Sequence, residues 1–325
     1  MSNSVLLIDA GAAVSLRNWN EPNPTIRLIK DIRNLIEETM ASRVVYCCDS
    51  GGSHFRKNLF PDYKKARRER SAQKPESEKA KDKIFYKEMD EFKEIIKLFG
   101  VEVVSVWGTE ADDISGYLCN NVDLTDTKIL MLSNDHDWLQ LLRPGIVMRA
   151  YNHKQKFGPD SFKIPAKIWL NFSKFKAAYE FEPWQLAHAM SFSEDSDGLK
   201  TPQGLGKKFS YELIKKYGTI QEVEKNICNI KNDIKGFRKT AVDDLTNNFE
   251  QIYFNYKLVN LNYDEETKNE IFSADVQSNL NDVIGRFKDR PEVDRDAIYE
   301  WLFAQGQVNI LAKFDSWVKV FEGDF

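Results

Sequence analysis

The stretch Lys128-Ile-Leu-Met-Leu-Ser-Asn-Asp-His-Asp137 places a short aliphatic run directly before two carboxylates. The same order occurs in Val5-Leu-Leu-Ile-Asp9 and in Arg43-Val-Val-Tyr-Cys-Cys-Asp49, and a fourth run, Val101 to Val106, precedes Glu110-Ala-Asp-Asp113. Short β-branched or aliphatic runs of this kind read as strands. The segments between them have helical spacing: Ile26, Ile29, Ile32, Ile36 and Met40 recur between the first two runs, and Met89, Phe92, Ile95, Ile96 and Phe99 recur before Gly100. Both read as crossover helices with one buried face. The alternation predicts an α/β fold, a central mainly parallel sheet flanked by helices.

In such a sheet the carboxyl ends of the strands open into a common crevice, where ligands bind. Asp9, Asp49 and Asp135 each fall at or just beyond a strand end. Taken singly, the acidic groups have ordinary explanations. Glu110, Asp112 and Asp113 suit the start of a helix, while Asp135-His-Asp137 and Ser193-Glu-Asp-Ser-Asp-Gly198 suit turns. Gathered in one crevice, however, uncompensated carboxylates are costly unless cations neutralise them. Oxygen-only ligands favour Mg²⁺ or Mn²⁺ over zinc, and His54, His136, His153 and His188 are scattered without metal-site spacing. Two groups of carboxylates suit a two-metal site, and phosphodiester hydrolysis is the reaction that most often needs one.

The bulk numbers narrow the class. The 325 residues suffice for about two domains, and with 42% hydrophobic and 30% charged residues the composition is that of a soluble protein. No apolar stretch reaches the ~20 residues that span a bilayer, and the amino terminus has no signal-peptide pattern. Cys47, Cys48, Cys119 and Cys228 lack Cys-x-x-Cys spacing, so a reduced, intracellular, cytoplasmic protein without a membrane role is expected. A net charge of −4 neither favours nor excludes a polyanionic partner; the distribution of charge decides that.

Two basic segments stand out. Between residues 56 and 74 lie Arg56, Lys57, Lys64, Lys65, Arg67, Arg68, Arg70 and Lys74, interleaved with the aromatics Phe55, Phe60 and Tyr63. The aromatic residues suit base stacking and the cations suit phosphates. From Ala66 to Lys83 the only apolar residues are alanines, so this segment is expected to be mobile in the free protein. The second segment is Gly198-Leu-Lys-Thr-Pro-Gln-Gly-Leu-Gly-Lys-Lys208. It fails as a nucleotide-binding P-loop, because Thr201 replaces the first glycine and Lys208 the Ser or Thr. It fits a glycine hairpin between helices, with Gly204, Gly206, Lys207 and Lys208 facing duplex phosphates.

The order of these motifs, Asp9, Asp49 with Phe55-Arg56 and Tyr63-Lys64, Glu-Ala-Asp-Asp, Ser-Asn-Asp-His-Asp, Asp197 and Gly-Leu-Gly, resembles the 5′-nuclease superfamily of flap endonucleases and 5′ to 3′ exonucleases. The likeness covers roughly residues 1 to 220; the length and closing segment look most like the T-even bacteriophage ribonuclease H type. The resemblance implies a PIN-like core and two Mg²⁺ ions, with Mn²⁺ able to substitute. It implies that Asp9, Asp49, Asp112 and Asp135 surround one ion, that Asp137, Asp197 and a neighbouring acid serve the second, and that Glu110 and Asp113 complete the shells. Lys64 and Arg67 match the family's active-site cations; Arg56, Lys57, Tyr63 and Arg68 join the nucleic-acid surface. Where the family has Gly-Asp-x-x-Asp, this chain reads Ser193-Glu-Asp-Ser-Asp197. Spacing from Asp197 gives Glu194 the place of the first Asp, and a one-residue shift gives it to Asp195.

The expected organisation is a metal-dependent core over residues 1–188, with a basic arch at about 56–88, and a helical DNA-binding domain over 189–325. A late helix follows Pro291 and ends near Gly306. The expected activity is Mg²⁺-dependent removal of RNA primers or 5′ flaps from branched or nicked DNA and RNA-DNA hybrids by a monomer, with a replication clamp or single-strand-binding protein as partner. Two rivals differ in kind: a PIN-like ribonuclease, which needs neither hairpin nor arch, and a noncatalytic DNA-junction binder with a damaged metal site.

Overall fold

The computed structural model describes residues 3–11, 23–150, 156–157, 164–165, 168–193, 198–202, 205–236 and 239–323. Five strands form one sheet: β1 (Asn3–Asp9), β2 (Arg43–Cys48), β3 (Glu102–Ser105), β4 (Thr127–Leu132) and β5 (Ile146–Arg149). Their order is β3-β2-β1-β4-β5, with every neighbouring pair parallel. The register pairs Asp9 with Cys47 and Ile8 with Leu132. The chain therefore leaves β1, β2 and β4 at one end of the sheet, and Asp9, Asp49 and Asp135 emerge together there.

The strands are apolar on both faces because both are covered. On one face, Val5, Leu7, Val45, Cys47, Ile129 and Met131 share a core with helical residues as far along the chain as Phe287. On the other, Leu6, Ile8, Val44, Tyr46 and Leu130 meet the Ile26, Ile29, Ile32 and Ile36 stripe of helix α1 (Pro24–Thr39). The carboxyl-terminal Ile298, Leu302, Trp317, Val318, Val320 and Phe321 join this second core. Residues beyond 189 are thus divided between the two faces of the sheet.

Further helices carry the site: α2 (His54–Leu59), α3 (Lys65–Ala72), α4 (Glu76–Leu98), α5 (Ala111–Asn121), α6 (Leu186–Ser191), α7 (Lys207–Tyr217) and α8 (Phe249–Val259). The late helix α9 spans Arg295–Ala304, as its spacing predicts. Among the described residues no helix is long and apolar enough to cross a membrane, and all four cysteines are free thiols.

Two expectations are corrected. Met40 does not extend the buried stripe: α1 ends at Thr39, and Met40 follows in a left-handed conformation, 54% exposed. The Ala66–Lys83 stretch is helical. Helix α3 buries no residue, and α4 buries none before Met89. Good helix formers such as Ala, Arg, Glu and Lys carry the arch without a core, aided by Glu76 and Glu78 at the start of α4 and a Lys74–Asp82 pair at 2.7 Å. Near the carboxyl terminus Val320 and Phe321 are buried, and the Phe321 ring lies 4.8 Å from that of Phe99.

Candidate active site

Asp9 ends the central strand and accepts a 2.6 Å hydrogen bond from the hydroxyl of Ser133, the first residue after β4. The same Ser133 Oγ accepts the backbone N–H of Asp135 at 3.0 Å, so one fully buried hydroxyl ties the two strand-end acids together. Asp135 in turn accepts the backbone N–H of Asp137 at 2.9 Å, which turns that carboxylate back toward the same crevice. Asp49 follows β2 and accepts the backbone N–H of Ala111 at 2.7 Å. It thereby holds the amino terminus of α5 against the sheet, where the helix dipole favours a carboxylate.

The start of α5 divides its three acids between two tasks. Asp112, partly buried, accepts the Trp138 indole N–H at 2.6 Å. Burial pushes its carboxyl well above the ordinary range, and the charges of Asp135, Asp137 and Asp9 push it further. Asp112, Asp135 and Asp137 line one small crevice of about 40 Å³, with Lys64 and Arg67 on its other wall. A single water needs roughly 10–15 Å³ of such space, so the crevice has room for an ion or a few waters and not for a nucleotide.

Glu110 and Asp113 face a different set of partners. They form a reciprocal capping box at the start of α5. Glu110 accepts the Tyr63 hydroxyl at 3.0 Å and the Lys64 ammonium at 2.8 Å. Burial pushes its carboxyl up, yet the Lys64 and Arg56 charges outweigh this and hold it below its ordinary value. Asp113 is fully buried and accepts Arg56 Nη1 at 3.0 Å, the Tyr263 hydroxyl at 2.8 Å and the backbone N–H of Glu110 at 3.0 Å. Arg56 also donates to the Leu258 carbonyl at 2.8 Å.

These contacts change several expected roles. Asp113 completes no metal shell, because its carboxylate is engaged by Arg56, Tyr263 and the Glu110 amide. Arg56 is 4% exposed and paired with Asp113, and it also lines the acidic crevice beside Lys64 and Arg67. Tyr63 is buried with its hydroxyl on Glu110, and Phe55 is buried as well, so neither presents a face to a base. Arg68 is tied to the carbonyls of Tyr63 and Pro61 and braces the turn before α3. Lys57 donates to the Gly51 carbonyl at 2.8 Å.

Lys64 and Arg67 do stand beside the acidic crevice, as expected. Gly206 caps α7, and Lys207 and Lys208 are exposed in its first turn. Glu194, Asp195, Asp197 and Gly204 lie outside the described residues; Leu199 lines the crevice. Sequence reasoning missed the supporting residues Trp138 and Tyr263. Tyr263 lies 150 positions from Asp113, and no local pattern marks it.

Among the described residues no three His, Cys, Asp or Glu side chains form a ready-made metal cage. The donor chemistry nevertheless fits a hard divalent cation: Asp9, Asp112, Asp135 and Asp137 offer only oxygen, and their mutual repulsion is what such an ion relieves.

The sequence model of the 5′-3′ exonuclease amino-terminal, resolvase-like domain matches residues 17–166. A 5′-3′ exonuclease of Buchnera aphidicola subsp. Schizaphis graminum is 25% identical over 252 residues, 76% of this chain and 79% of its own. The flap endonuclease of Escherichia phage T5 is 23% identical over 200 residues, 60% of this chain and 63% of its own. The T5 D15 protein crystallised with metal ions superimposes with a TM-score of 0.73 at 20% identity, covering 88% of this chain and 100% of that one. The D15 flap endonuclease in a complex with DNA and metal ions gives 0.72 over 88% and 99%. The chain is thus similar in sequence to 5′-3′ exonucleases and flap endonucleases, and it shares the fold of the D15 structures.

Proposed function

We propose that this enzyme is a Mg²⁺-dependent, structure-selective 5′-nuclease that removes 5′ flaps or RNA primers from branched and nicked duplexes, leaving 5′-phosphates. The observation that carries the reading is the convergence of Asp9, Asp112, Asp135 and Asp137 at the carboxyl end of the sheet, with Lys64 and Arg67 facing them. Asp9, Asp112 and Asp135, with Asp49 beside them, would hold a divalent ion, which would supply charge neutralisation and activate a water. Asp137, Asp197 and either Glu194 or Asp195 are proposed for a second ion.

The chain's own groups do the rest. The crevice is too small for a nucleotide, so the scissile phosphate lies across its mouth, where Lys64 and Arg67 draw its oxygens and stabilise developing charge. Glu110 fixes the Lys64 ammonium from behind. Helices α3 and α4, exposed and basic at their junction, form an arch beside the site for a single-stranded 5′ end. Lys207 and Lys208 sit at the positive end of α7, where cations weaken a helix and an anion repairs it. That arrangement suits duplex phosphates and no particular sequence. The glycine hairpin expected before α7, together with the arch, is what a PIN-like ribonuclease would not need.

The test is incubation with a 5′-flapped duplex and a nicked RNA-DNA hybrid, with Mg²⁺ or EDTA, beside Asp135→Asn. Metal-dependent cleavage from the 5′ end, lost in the variant, is the expected result. Tight binding of the junction with no cleavage in Mg²⁺ or Mn²⁺ would instead identify a noncatalytic junction binder.

A further inference from the structure

Trp107 is 75% exposed, yet it is held in place. Its six-membered ring lies on Gly51, where a Cβ would come within 3.1 Å of Cη2 and Cζ3. The His54 imidazole meets its edge with ring centroids 5.8 Å apart at 88°, and His54 itself covers Gly108, where a Cβ would fall 2.6 Å from Nδ1. Gly51 (φ 71°) and Gly108 (φ 82°) are both in the left-handed region that glycine enters without strain. Three backbone bonds zip the two loops together: Gly108 N–H to the Ser50 carbonyl at 2.8 Å, Ser50 N–H to that of Thr109 at 3.0 Å, and His54 N–H to that of Gly108 at 2.8 Å. An indole that could have packed inward is instead fixed with much of its surface toward solvent, forgoing the burial that normally stabilises it.

Its place in the fold says what that surface serves. Gly51 is two residues beyond Asp49, at most about 7.6 Å between Cα atoms, and Thr109 immediately precedes Glu110. The chain therefore runs directly from Asp49 and from Glu110 into the platform, and Trp107 also lines a separate groove with Ser105, Val276 and Arg286. Lys57 places its ammonium beside it, 2.8 Å from the Gly51 carbonyl. A flat, preorganised aromatic surface flanked by a cation, at the edge of a phosphodiester-cleaving site, matches the stacking platforms that hold single-stranded nucleic acid.

We propose that Trp107 stacks on one unpaired nucleobase of the substrate strand close to the cleavage point, with Lys57 holding a neighbouring phosphate. This rests on the nuclease reading. It gives the protein a base-binding position that Phe55 and Tyr63, being buried, do not supply.

The experiment measures kcat/KM in Mg²⁺ for wild type, Trp107→Ala and Trp107→Phe on a 5′-flapped duplex, and on a series carrying one abasic residue at successive positions around the cleavage point. Wild type should lose roughly tenfold at one position of the series. Trp107→Ala should lose about the same on the intact substrate and nothing further at that position, while Trp107→Phe keeps most of the wild-type rate. Unchanged melting temperature in both variants would separate this coupling from a folding defect. Equal kcat/KM for wild type and Trp107→Ala, losses that multiply instead of merging, or the absence of any sensitive position would overturn the proposal while leaving the nuclease intact, including the case in which Trp107 serves a protein partner. Failure of wild type to cleave any substrate would sink the nuclease reading first, and the platform with it.

Discussion

Asp112 and Asp113 are neighbours in one helix turn and live in opposite electrostatic worlds. Successive residues of an α-helix point about 100° apart, so one side chain reaches the acidic crevice and the other a buried latch. In the crevice, Asp112 has the Trp138 N–H and the charges of Asp135, Asp137 and Asp9 around it. In the latch, Asp113 has Arg56, Tyr263 and a backbone amide. The crevice stores repulsion that a cation relieves, whereas the latch has no charge left to offer and binds the core to the segment at Leu258 to Tyr263. Membership of one acidic motif is thus no guide to role; the partner set is.

The largest effect should come from breaking the crevice. Asp135→Asn is expected to lower kcat on the order of 10⁴-fold, the scale seen when one member of a catalytic unit is removed. Its resistance to urea should stay level or rise, since a repelling charge is gone. A fall in stability by several kcal/mol would mean that Asp135 belongs with the structural acids.

Breaking the latch should invert that result. Arg56→Met strands the Asp113 carboxylate in the interior and should cost about 3–4 kcal/mol in a urea titration. Pairing it with Asp113→Leu should recover most of the loss, because the lone buried charge, and not the missing bond, carries the penalty.

His188 sharpens the comparison with a group that folding keeps neutral. It is buried, stacked on Tyr256 at 4.5 Å, and its Nδ1 faces the Ile220 amide at 3.5 Å, at the start of a helix. Burial pushes its pKa from 6.5 down to about 4. The folded state therefore binds this proton more weakly than the unfolded chain, and stability is fully present above pH 6.5 and falls as the pH drops toward 4. Over that interval the loss is about 3 kcal/mol. His188→Gln should flatten this part of the stability curve; an unchanged slope between pH 6.5 and 4 would remove His188 from the account.

The smallest effect belongs to Tyr263→Phe. It deletes one hydrogen bond to Asp113 and leaves Arg56 in place, so about 1–2 kcal/mol is expected, with cleavage rates unaltered at saturating Mg²⁺. A large loss of activity would show that the latch positions the crevice.

Strands β1 to β4, the two crossover helices and the strand-end acids Asp9, Asp49 and Asp135 were legible because strand periodicity and chain order are local properties. β5 was not, since Ile146-Val-Met is too short a run to separate from a turn. The helicity of the arch segment escaped for a different reason: a core-less segment reads as mobile, yet its Ala, Arg, Glu and Lys residues favour helix without burial. Trp107 carries no sequence signal either, because its placement depends on Gly51 and His54, which meet it only after β2 and β3 pair.

What the sequence determined by itself is the alternation of strands and helices and the placing of carboxylates where strands end, since these follow from residue order and the geometry of a parallel sheet. What only the tertiary structure decided is which acid remains exposed to its fellows and which is neutralised. Arg56, Tyr63 and Tyr263 reach Glu110 and Asp113 from 47 to 150 positions away, and the charge state of a buried group is set by what surrounds it in space.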